Sequence, residues 1–154
     1  MATYNVTGPG GTTGHPSVVR RPYLVENTID ISALNSDAGA AQNDVLQVLD
    51  IPAETLVMEA GIEVLTALSS SVTLDLGITG GDVDRYVDGD TNATGFSAPT
   101  ATARTVVASA DTLDVLVLSA DSSAGKIRVF AVLCDVSGVE ESDLNTDSQH
   151  DTGS

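Results

Sequence analysis

Four carboxylates and an amide crowd one stretch of the chain, Gly80-Gly81-Asp82-Val83-Asp84-Arg85-Tyr86-Val87-Asp88-Gly89-Asp90-Thr91-Asn92. Oxygen donors at that density suit a hard divalent cation, since Ca²⁺ takes about six to eight of them. Asp82, Asp84, Asp88, Asp90 and Asn92 are therefore the candidate metal ligands, and Ca²⁺ the candidate ion. The Asp88-x-Asp90-x-Asn92 spacing imitates the opening of an EF-hand loop. Ala93, however, stands where that loop needs its turn glycine, and Pro99 where a bidentate Glu would close the cage, so this is not an EF-hand. Asp and Gly are equally the residues of a tight β-connection, with Arg85 at hand to neutralise one carboxylate. The composition leaves a plain turn and a cation site both open.

Nothing else in the chain assembles a reaction centre. A nucleophile needs a base beside it and a group that orients the base. The only histidines, His15 and His150, lie near the two ends, far in sequence from Cys134. Cys134 follows the apolar run Val129-Phe130-Ala131-Val132-Leu133, which reads as a small buried core thiol with no second cysteine to pair with. Neither a Gly-x-Ser-x-Gly elbow, a phosphate-cradling Gly-x-x-x-x-Gly-Lys loop nor a His-Glu-x-x-His helix is present. Two carboxylates about 5–9 Å apart could cleave a glycosidic bond, but the chain has no Trp and few other aromatic platforms for a sugar. The expectation is a protein that is not an enzyme and carries no cofactor, Ca²⁺ aside.

The positive charge is unevenly placed. Of six Lys and Arg residues, two are the adjacent Arg20 and Arg21. Together with Tyr23 they are candidate partner-binding residues, able to anchor on an acidic surface; the alternative is a solvated pair.

Twenty-two acidic residues against six basic ones give a formal charge of -16, which repels phosphate backbones and anionic lipid alike. Nucleic acid and membranes are therefore excluded as partners. No segment approaches the ~20 apolar residues of a spanning helix, and Met1-Ala2-Thr3-Tyr4-Asn5 lacks the basic and apolar regions of a signal peptide. The expectation is a cytosolically made, unprocessed chain, in which the Asn5-Val6-Thr7 and Asn92-Ala93-Thr94 sequons are chance matches. Asp outnumbers Glu and Lys126 is the single lysine, a bias that fits solubility in salty surroundings, where screening weakens self-repulsion.

The elements that must carry these residues are strands. With 42% hydrophobic residues in 154, the chain can bury one core, and with so few aromatics that core is aliphatic. Residues 1–27 read as an arm broken by Gly8-Pro9-Gly10-Gly11 and Gly14-His15-Pro16. Residues 28–136 read as a β domain. It opens with a short strand over Thr28–Ser32, a loop follows from Leu34 to Asn43, and a strand from Val45 stops at Ile51-Pro52. Thr55–Leu68 is long enough for a helix, yet its β-branched residues and the alternation of Ile62 and Val64 with Glu63 favour a strand, with Gly61 as a bulge. Val72, Leu74 and Leu76 alternate with Thr73 and Asp75, predicting one buried and one wet face. Arg104–Ala108, Thr112–Leu118 and Ile127–Val136 continue the pattern. Short strands about every 8–12 residues with turn signals between them predict an all-β fold, an antiparallel β-sandwich or jelly roll. Residues 137–154 are too polar and acidic to bury anything and read as an acidic tail.

The order Val48-Leu49-Asp50-Ile51-Pro52-Ala53-Glu54-Thr55-Leu56-Val57, then Gly61-Ile62-Glu63-Val64, Leu74-Asp75-Leu76-Gly77 and Asp84-Arg85-Tyr86-Val87-Asp88-Gly89 resembles small virion structural proteins of tailed bacteriophages, particularly marine and cyanobacterial ones. The resemblance spans roughly residues 45 to 136 and rests on strand and turn signals. It implies a capsid decoration, or cement, protein on the outer capsid surface, partnered by the major capsid protein and forming a homo-oligomer, for which a trimer is the guess. A head-fibre, tail-fibre or other tail-associated adhesion protein is the alternative. High negative charge would keep free copies apart before assembly, and an arm that orders on a neighbour would add area that the small domain lacks.

Overall fold

A computed structural model of the chain describes residues 20–69, 71–78, 80–91, 93–97 and 104–137. Their strands are β1 (Tyr23–Asp30), β2 (Val45–Ile51), β3 (Thr55–Thr66), β4 (Thr73–Gly77), β5 (Val87–Thr91), β6 (Gly95–Ser97), β7 (Thr105–Val107), β8 (Asp111–Leu118) and β9 (Lys126–Asp135). One 3-10 turn, Ile31–Ala33, follows β1 and is capped by the Asp30 carboxylate, which accepts from the Ser32 N–H.

The pairings nest. Antiparallel ladders join β4 to β5, β3 to β6 and β7, β2 to β8, and β1 to β9. This is one long folded ribbon whose innermost turn lies between β4 and β5. Two further ladders, β9 with β3 and β8 with β4, roll the ribbon into two sheets. The first has the order β1-β9-β3 with β6 and β7 end to end along the far edge of β3, and the second has the order β2-β8-β4-β5. Counting β6 and β7 as one interrupted strand, this is the eight-stranded jelly roll.

Alternation along the strands supplies the core. Ile127, Val129, Ala131 and Leu133 of β9, with Val57, Ala60, Ile62 and Val64 of β3, face Leu74 and Leu76 of β4 and Leu113, Val115 and Val117 of β8. Each fully buried Val, Leu or Ile side chain among them contributes about 1.5–3 kcal/mol.

Several sequence expectations change at particular residues. The first strand begins at Tyr23, so residues 23–27, read as the end of the arm, are strand, and Ile31–Ser32 leave it for the 3-10 turn. Bulges in β3 fall between Val57 and Glu59 and between Val64 and Thr66. Gly61 stays in register opposite Phe130, and its missing side chain leaves room for that ring, whose Cζ would meet a Cβ there at 2.6 Å. The bulged Val48 of β2 offers its carbonyl to Asn27 Nδ2 at 3.0 Å, a link between the two sheets. The tail reading begins at Ser137; residues 138–154, like 1–19, lie outside the described residues.

Candidate functional site

The acidic stretch is half turn and half strand. After β4 the chain doubles back, with Ile78 N–H donating to Asp82 O at 3.0 Å and Gly81 N–H to Ile78 O at 3.0 Å. It lies so closely over Gly77 that the main chain of Asp82 and Val83 fills the space a Cβ would need. Tyr86 then hydrogen-bonds back to Leu76 O at 2.9 Å and buries its side chain completely. Its hydroxyl has no hydrogen-bond partner among the described residues, and burial pushes its pKa up to about 12.

From Val87 onward the same stretch is β5. Val87 pairs with Leu76 and Asp90 with Leu74, so Asp88 and Gly89 together oppose Asp75. Gly89 has a φ of 69°, as a bulge with glycine in the left-handed region requires. Its N–H donates to Asp75 Oδ1 at 2.7 Å. Asp75, expected on a wet face, is only 7% exposed. Desolvation raises its pKa above the ordinary Asp range, against the Gly89 hydrogen bond and with help from Asp88 and Asp84.

Of the candidate ligands, Asp82 and Asp84 come together: a hydrogen bond with Asp84 raises the Asp82 pKa. Asp82 also pairs with Arg85 at 3.6 Å. Asp88 and Asp90 sit on the strand instead, separated by the bulge, and Asn92 lies outside the described residues. Among the described residues no three His, Cys, Asp or Glu side chains gather as a metal site would need. Asp75 is the member of this neighbourhood that sequence reasoning assigned to solvent; the Gly at position 89, a bulge signal opposite it, was the clue.

Arg20, Arg21 and Tyr23 are not a single unit. Arg20 donates to the carbonyls of Asp135, at 2.8 Å, and Ser137, and pairs with the Asp135 carboxylate at 3.4 Å. It clips the start of β1 to the end of β9. Arg21 is exposed, and Tyr23 pairs with Leu133 in the ladder while leaving 42% of its surface exposed. Cys134 is buried, as expected, but opposite Leu56 on the outward side of β9, not between the sheets. His15 and His150 lie outside the described residues.

The outward face of the β1-β9-β3 sheet carries a feature the sequence reading did not single out. Phe96 of β6 and Phe130 of β9 meet there with ring centroids 5.1 Å apart. Leu24 is directly opposite Val132, and Leu56 opposite both Cys134 and Val106. Arg128 reaches across this face to Glu63 on one side and Glu26, at 3.8 Å, on the other.

No protein-family model matches the chain, and no curated protein matches it. Among solved structures, the chain is similar to one in the "Acidic stable capsid structure of Helicobacter pylori bacteriophage KHP30", with a TM-score of 0.56 and 14% identity over 79% of this chain and 94% of that one. At that identity the likeness is one of fold.

Proposed function

We propose that the protein is a structural component of a bacteriophage virion, and within it a decoration protein that binds the outer surface of the capsid and stabilises the shell. The observation that carries the reading is the jelly roll itself, shared across most of both chains with a chain of a phage capsid. The match takes in 79% of this chain and 94% of the other, so the two chains are of comparable size.

Jelly rolls also serve lectins and small-molecule enzymes, so fold alone does not assign a role. The charge adds to it: a net -16 keeps free copies soluble and apart until they meet a partner of opposite sign. A bound copy that bridges shell subunits stabilises them by mass action, since it binds the assembled lattice and not the dissociated one. The partner in this reading is the major capsid protein.

The test is to mix the purified protein with undecorated capsids of its phage and follow binding and shell melting together. Saturable binding with a rise in the shell unfolding temperature is the expected result. Absence from the capsid, with the protein found instead on tails or fibres of the particle, overturns it in favour of an adhesion role.

A further inference from the structure

In a two-sheet sandwich each sheet turns one face to the core and the other to water, and the second face is ordinarily polar. The β2-β8 ladder obeys this over part of its length: Gln47 and the pair Asp50 and Thr112 stand on its outer side, with Asp114 nearly buried there and Val45 with Leu116 as its apolar end. The outer face of the β1-β9-β3 sheet departs from it. Because Ile127, Val129, Ala131 and Leu133 point into the core, Phe130 and Val132 point outward. Leu24, at 60% exposure, stands against Val132, Val106, at 54%, against Leu56, and Phe96, at 62%, against Phe130. These three are the most exposed large hydrophobic residues among the described ones, and all three lie on this one face.

The face is also large enough. Ten residues of β9 span about 34 Å, and four adjacent strands with their margins about 20 Å. That gives roughly 700 Å², close to the ~800 Å² per partner of a standard protein interface.

Charge decides what can cover it. Glu26 and Glu63 share Arg128, and Asp30 takes Lys126 at 3.4 Å. Glu59, directly opposite Val132 and exposed, has no ion-pair partner among the described residues. A second copy laid on this face would bring Glu59 and another -16 against the same charges. A surface with apolar groups at its centre and Lys or Arg at its rim would instead be steered in and matched.

We infer that the outer face of the β1-β9-β3 sheet is the docking surface, and that its occupant is a shell subunit presenting an apolar patch rimmed by basic side chains. The inference rests on the decoration reading and deepens it by fixing which of the two sheets meets the shell.

Four variants test it on empty capsids of the same phage, by co-sedimentation. Phe96→Glu and Val106→Asp place a charge on exposed positions of the face. Val45→Asp does the same at the exposed edge of the other sheet and serves as control; unfolding midpoints verify that these and Glu59→Lys all fold. The expected result is unchanged binding for Val45→Asp, with affinity lowered about tenfold or more for the other two. Glu59→Lys should weaken binding most at low salt, where attraction between unlike charges is least screened. If wild type binds but Phe96→Glu and Val106→Asp bind equally well, the docking face is wrong while the decoration role stands. If wild type fails to bind capsids at all, the decoration reading falls and this inference with it. If sedimentation equilibrium shows a wild-type oligomer that Phe96→Glu splits into monomers, the occupant is a second copy and the inference is overturned.

Discussion

The main chain of Asp82 occupies the space that a Cβ on Gly77 would fill, so the acidic loop can close over the end of β4 only because position 77 has no side chain. Both sides of that contact are backbone, which cannot swing aside as a side-chain tip can. Gly77→Ala is therefore expected to cost about 2–3 kcal/mol, measured by denaturant unfolding. Gly81, four residues on in the same loop, has Ile78 O as its nearest obstacle at 3.5 Å and no positive φ. Gly81→Ala should leave stability unchanged or raise it by about 0.4–1 kcal/mol through the unfolded chain. Equal losses in the two variants would mean that the close packing over Gly77 does not exist.

The same loop shows where the sequence could be read and where it could not. Val72, Leu74 and Leu76 alternate and are buried, as are Ile127 to Leu133 at every second place, because a strand facing a core repeats every two residues. Strand β1 carries a weaker signal: of its apolar residues only Val25 and Ile29 pack against the core, and residues 23–27 read as the end of the arm, although their backbone ladder with β9 is complete. Asp88-Gly89-Asp90 left a turn and a cation site both open, and neither reading anticipated a strand, because composition does not reveal a glycine bulge within one. Asp75 read as wet because alternation says which side of a sheet a residue occupies, not what later folds over it. The Phe96–Phe130 contact joins strands 34 residues apart in sequence, a pairing that only the nested topology creates.

Asp75 makes a pH prediction with a definite sign. Desolvation holds its folded pKa above the ordinary value of 3.8. Between those two values the folded chain keeps a proton that the unfolded chain has released, so this group's contribution to stability falls as pH rises through the window. Asp75→Asn keeps an acceptor for the Gly89 N–H and removes the buried charge. The variant should be more stable than wild type at pH 7, and the difference should shrink as pH falls and vanish only well below the ordinary value of 3.8, where the wild-type carboxyl is protonated in both states. Thermal melts across pH 3 to 8 at about constant ionic strength give the comparison. A variant less stable at pH 7 would show that the charged hydrogen bond outweighs desolvation.

Arg20 is expected to act within the fold before it acts on any partner. Its guanidinium spans the carbonyls of Asp135 and Ser137 together with the Asp135 carboxylate, a planar fork that an ammonium group cannot reproduce. Arg20→Ala and Arg20→Lys should both lower the unfolding midpoint, by roughly 2–5 °C, with lysine recovering little. Arg21→Ala, at an exposed neighbour, should leave the midpoint in place. Asp135 itself is held below 3.8, first by its hydrogen bonds with Ser137 and then by Arg20. Its contribution is present above that value and lost as pH falls through the folded pKa, opposite in sign to that of Asp75.

Tyr86 closes the loop with an apolar ring and an unsatisfied hydroxyl. The ring packs in the core at 0% exposure, while the hydroxyl finds no partner among the described residues. A buried polar group left without a hydrogen bond costs about 1–3 kcal/mol, so Tyr86→Phe, which keeps the ring and deletes the oxygen, should stabilise the protein by about 1 kcal/mol. The alkaline side supplies an independent check. Because burial raises the Tyr86 pKa from 10.0 to about 12, the folded chain keeps its phenolic proton over a range in which the unfolded chain has lost it. Wild type therefore loses stability between those values as pH rises, and Tyr86→Phe should lose less over the same interval. Denaturant titrations at neutral pH and near pH 11 decide the matter. A gain at neutral pH with a flattened alkaline slope fits a buried, unpaired phenol. A loss at neutral pH would mean that the hydroxyl is bonded after all, and that its partner helps to hold the acidic loop on the sandwich.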